Sequence, residues 1–137
     1  MFDITAQTVA DTAPIHLKGL DGSPLYSDGK PVRIVLHSPG SDVFAEVAER
    51  QTARAIKRMN DEGDEKIVQV PKEQRDREQA EDLAALTVAF ENFTYPPAGD
   101  ATGKDLFRAF YADRKLGHLT QQVMKALKDW GKFGKAS

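Results

Sequence analysis

The sequence predicts an α+β fold, mostly helical, with a small N-terminal antiparallel β-hairpin or sheet followed by about four helices. Turn pairs and prolines crowd the first forty residues, and apolar stripes of helical period run through the rest. At 137 residues the chain fits one domain, 1–137, with a β-rich part over 1–40 and a helical part over 41–137.

In the β-rich part, Asp21-Gly22 and Asp28-Gly29 are turn pairs, and Pro24, Pro31 and Pro39 punctuate the segment. The best strand is Val32-Arg33-Ile34-Val35-Leu36, which is β-branched, bounded by Pro31 and Pro39, and too short for a stable helix. Ile15-His16-Leu17 or Leu25-Tyr26 supplies its partner.

Ser41 follows Pro39-Gly40 and begins the first helix, its hydroxyl placed to accept from a free amide of the first turn. Phe44, Val47, Ala48, Ala55 and Met59 then share one stripe, broken by Gln51, which is expected to face the core. A run of acids around Gly63 ends that helix, and the connection near 60–71 is expected to be mobile.

The second helix is expected over Lys72 to Phe93. Its first two turns have no apolar residue, whereas Ala80, Leu83, Leu86, Phe90 and Phe93 form a stripe afterwards. The polar half is either a solvated extension, helped by pairs such as Glu73 with Arg77, or a surface for a partner. Tyr95-Pro96-Pro97 stops any helix, and Thr102-Gly103-Lys104-Asp105 resembles a capping box that starts a short third helix, Gly103 to Asp113. A fourth helix, about Leu116 to Phe133, sets Leu116, Leu119, Val123, Ala126, Leu127 and Trp130 on one arc, opposite Lys125, Lys128 and Lys132.

No motif for chemistry emerges. Gly99 to Asp105 is one spacer short of a phosphate-binding loop and places Asp where Mg²⁺ binding needs Ser or Thr. His16, His37 and His118 stand apart, without the spacing of metal ligands. His37-Ser38-Pro39-Gly40-Ser41 lacks the glycine-flanked elbow of a serine nucleophile. The expectation is therefore a binding protein with no catalytic, metal or cofactor residues, not an enzyme. The chain has no cysteine, which suits a reducing cytoplasm, and Met1 to Ala10 has neither the basic leader nor the apolar run of a signal peptide. No run of 18 apolar residues suggests a membrane span, and no membrane partner is expected.

Net charge is −2, which gives no overall attraction to nucleic acid, but the charge is unevenly spread. Lys104 to Ser137 has eight bases against three acids, and Asp64 to Asp82 has seven acids against four bases. The basic end permits a nucleic-acid-binding adaptor as a minor alternative, while the asymmetry favours protein partners or self-association. In Leu106-Phe107-Arg108-Ala109-Phe110-Tyr111, three aromatics within five residues of a short helix cannot all point one way. Either other elements sandwich that helix or one ring is exposed as a contact. Phe107, Phe110, Tyr111, Trp130 and Phe133 are the candidate protein contacts.

Three segments carry a resemblance: Asp28 through Ser41, Phe90-Glu91-Asn92-Phe93-Thr94-Tyr95-Pro96, and Tyr111-Ala112-Asp113 through Leu116-Gly117-His118 to Trp130-Gly131-Lys132-Phe133. From about Pro24 onwards the chain is similar to tail assembly chaperones of long-tailed, siphovirus-like bacteriophages. The resemblance implies a largely helical protein of the host cell cytoplasm. Its clients would be the tape measure protein and, secondarily, tail tube subunits, kept soluble while the tail assembles. Such proteins are often also made as a longer frameshifted product. The family has no catalytic residues to carry over. The alternative is a structural tail or connector component retained in the virion.

Overall fold

The computed structural model describes residues 1–62 and 71–135. Its strands are β1 (Thr12–His16), β2 (Tyr26–Ser27), β3 (Lys30–Pro31), β4 (Arg33–His37) and β5 (Thr87–Glu91); its α-helices are α1 (Asp42–Glu62), α2 (Lys72–Ala85), α3 (Gly103–Ala112) and α4 (Gly117–Leu127). The architecture is α+β, four helices against a small antiparallel sheet, with a strand near the N-terminus.

The sheet runs in the order β1-β4-β5, both pairings antiparallel. β4, the strand expected from Val32 to Leu36, is central: Ile15 and Phe90 flank Ile34, while Pro14 and Ala89 flank Val35. Its period of two buries Ile34 and Leu36 and leaves Arg33, Val35 and His37 half-buried, so one face of the sheet belongs to the core. Of the two expected partners, Ile15-His16 lies in β1. Tyr26 belongs instead to a side hairpin, β2–β3, turned at Asp28 (φ 52°) and Gly29 (φ 76°), while Leu25, just before it, accepts from the Val32 amide at 3.0 Å.

The third strand corrects the sequence reading. The second helix does not reach Phe93: α2 stops at Ala85, and Thr87 to Glu91 pair with β4. His37 donates its amide to the Leu86 carbonyl at 2.8 Å, pinning the point where helix gives way to strand. The physical reason is tertiary. β4 has a second edge to satisfy, and Thr87, Val88 and Phe90 are residue types that suit a pleated surface.

Ser41 caps α1 as expected: its hydroxyl accepts from the Phe44 amide at 3.2 Å and donates to the Ser38 carbonyl at 2.7 Å. The apolar stripe does not continue into the core, however. Val47 is buried and Phe44 half-buried, but Ala48, Ala55 and Met59 are exposed, Met59 at 69%. Thr102 holds the N-cap position of α3 without a side-chain cap bond. The expected fourth helix is shorter, because α4 ends at Leu127 and Asp129 caps a separate 3₁₀ turn, Trp130–Phe133.

Side chains from both ends of the chain share one core: Ile15, Ile34 and Leu36 from the sheet, Leu83 from α2, Phe110 from α3, Val123 from α4, and Phe133. Of the connection near 60–71, residues 63–70 lie outside the described residues. Among the described residues, no helix is long and apolar enough to cross a membrane.

Candidate interaction surface

The aromatic residues proposed as contacts are divided sharply by burial. Phe107, Phe110, Tyr111 and Phe133 are all buried, and only Trp130, 55% exposed, is on the surface. That removes four of the five from the exterior of the folded chain. Two of them pack on Phe90, whose ring lies 4.7 Å from Phe107 and 5.0 Å from Phe110, and 4.6 Å from Phe93. Tyr95 and Tyr111 meet Phe110 edge to face. The short aromatic helix is thus sandwiched between α2 and β5, the first of the two arrangements its sequence allowed.

Both tyrosine hydroxyls are engaged. The Thr87 hydroxyl donates to the Leu83 carbonyl at 2.8 Å, so the Tyr111 hydroxyl, 2.7 Å away, is its donor. Burial pushes the Tyr111 phenol well above its ordinary range. Tyr95 donates to Asp113 at 2.8 Å, and that bond raises its phenol as well.

Trp130 sits against Gly40. A Cβ at Gly40 would meet Val9 Cγ2 at 2.8 Å and Trp130 Cζ3 at 3.4 Å, so glycine is what lets the two segments close on this loop. The Ala10 amide donates to the Phe133 carbonyl at 2.8 Å, tying the C-terminal turn to the start of β1.

A different surface lies between α1, α2 and α4. α1 and α2 run antiparallel and are joined by charge. Asp82, buried on α2, accepts from Arg50 at 2.8 Å, from Gln51 at 3.1 Å and from both terminal nitrogens of Arg54 at 3.2 Å. Glu78, one turn earlier, pairs with Arg54 Nε at 3.3 Å and with Arg58. Three arginines at intervals of four thus line one face of α1 against two acids spaced four apart on α2. Burial pushes the Asp82 carboxyl up, but the hydrogen bonds from Arg54, Gln51 and Arg50 outweigh it and hold the acid below its ordinary value. The same pairing raises Arg54. The polar first turns of α2 remain exposed, and the expected Glu73–Arg77 pair is not formed.

Beneath this ladder opens a groove of about 420 Å³. Its floor is apolar, formed by Phe44, Leu83, Leu86, Met124 and Leu127, and its rim is polar, with Arg75 and Lys128 among the cations. Elsewhere on α1, Ile56 (53% exposed) and Met59 are exposed. Sequence reasoning missed the groove because its residues come from three helices far apart in the chain. The one available signal was Gln51, the polar break in the α1 stripe, which bonds to Asp82.

Among the described residues, no three His, Cys, Asp or Glu side chains gather as metal ligands. His16 is placed in the fold by a 2.7 Å bond between its Nε2 and the Leu25 carbonyl, and by an edge contact with Tyr26. What the arrangement offers is an apolar slot with a charged border, suited to a side of an amphipathic element.

Comparison with protein-family models, with curated proteins and with solved structures gives no match.

Proposed function

We propose that this protein is a tail assembly chaperone of a long-tailed bacteriophage, which binds the tape measure protein in the host cytoplasm and keeps it soluble until tail tube subunits polymerise around it. The resemblance of three segments to that family motivates the reading. The observation that carries it in the fold is the apolar-floored groove between α1, α2 and α4, together with the exposed apolar side chains Ile56 and Met59 of α1. A long helical client with much apolar surface aggregates unless that surface is covered, and helix-in-groove packing covers it. Trp130, the one exposed ring of the five candidates, is a secondary contact.

Co-expression with the tape measure gene of the same phage tests the proposal. The expected result is a soluble complex of the two proteins; a client equally insoluble with and without this chain would overturn it. Mass spectrometry of purified virions separates the chaperone from a structural tail component, because a chaperone is largely lost from finished particles.

A further inference from the structure

The groove is selective as well as apolar, and its charges say for what. Five cations surround it or support its wall: Arg50, Arg54, Arg58, Arg75 and Lys128. The acids Asp82 and Glu78 are already used by the first three of these. Arg75 and Lys128 line the rim, and neither is in an ion pair with an acid of 1–60 or 71–135. Their side chains come from different helices, α2 and the residue that ends α4, so cationic charge stands on two sides of one apolar floor. An occupant that placed apolar side chains on Leu86, Met124 and Leu127 while offering carboxylates beside them would satisfy both features at once. A basic occupant would meet the like charges of Arg75 and Lys128.

We infer that this groove receives an amphipathic helix whose apolar face is bordered by acidic residues, and that Arg75 and Lys128 are its selectivity-determining contacts. The inference rests on the chaperone reading only for the identity of the client; the groove's preference follows from its own charges.

Two synthetic amphipathic peptides with the same leucine face, one bordered by Glu and one by Lys, titrated into the full-length protein and followed by fluorescence anisotropy, test this. The Glu peptide is expected to bind about tenfold tighter than the Lys peptide, since each exposed ion pair contributes only modestly. Arg75→Glu/Lys128→Glu, at two exposed positions, is expected to reverse the order. Met124→Glu is expected to weaken both peptides, because it puts a charge on the floor. Equal binding of the two peptides, no binding of either, or an order unchanged by the double charge reversal would each overturn the inference. Repeating the client co-expression with the double variant tells its failure from that of the chaperone reading. A client solubilised equally well by wild type and variant leaves the chaperone in place and removes the groove, whereas a client insoluble with the wild type removes the chaperone.

Discussion

α2 is held against α3 and against α1 by different forces. Towards α3 it makes the most extensive helix contact of the fold, with Ala80, Leu83 and Ala84 in the same core as Phe107, Phe110 and Tyr111. Towards α1 it offers Glu78 and Asp82 to arginines, and from Ala48 to Asn60 no α1 side chain enters the core. The first contact rests on burial, which salt does not screen and which involves no group that titrates near neutrality. The second rests on ion pairs, partly solvated, which salt screens and which acid breaks once the carboxylates protonate. One helix is fixed, and the other is attached on conditions.

The comparison can be broken first at the aromatic side. Phe110→Ala is expected to cost about 3–5 kcal/mol, the range for truncating a buried aromatic ring, and urea denaturation measures it. Asp82→Ala comes next, at about 2 kcal/mol. It removes the hub that three α1 side chains share, but Arg50 and Arg54 keep some contact with water, which limits the cost.

The same acid gives the pH dependence its sign. The folded state holds Asp82 below its ordinary value, so the stabilisation is fully present above the unfolded carboxylate pKa of about 3.9 and is lost as pH falls through the lower folded value. Asp82→Ala should remove this component of acid sensitivity, which denaturation curves taken at a series of acidic pH values will show.

Smaller effects sharpen the contrast. Tyr111→Phe deletes one buried hydrogen bond and is expected to cost about 1 kcal/mol, read by the same denaturation. Met59→Glu, on the uncovered flank of α1, is expected to change stability by less than about 0.5 kcal/mol. A loss above about 1 kcal/mol by thermal or urea unfolding would mean that this flank is packed and that α1 is held by more than charge.

The contrast also explains what was legible in the sequence. β4 and the Ser41 cap were readable because each depends on neighbours a few residues away: prolines around a β-branched run, and a hydroxyl three residues before an amide; α3 starts at Gly103 as expected, but without the Thr102 side-chain cap from which its start was read. β5 was not readable, because Leu83, Leu86, Phe90 and Phe93 keep a helical spacing and only the open edge of β4 makes a strand of Thr87 to Glu91. α1 was misjudged for a related reason. Its Phe44-to-Met59 stripe is as regular as its arginine face, and nothing local says that buried acids on α2 will claim the arginines. The aromatic cluster was readable as a feature but not as a location, since Phe107 and Phe110 pack on Phe90 and Tyr111 bonds to Thr87, both on β5, which was itself misplaced.

Native-state hydrogen exchange, resolved along the chain, tests the central claim that α1 beyond Val47 is attached by charge while α3 is held by burial. On raising salt from about 0.1 M to about 1 M, which shortens the screening length from about 10 Å to about 3 Å, the α1 amides from Arg50 onward should exchange faster and the α3 amides should keep their protection. Equal change in both helices, or none in α1, would contradict it.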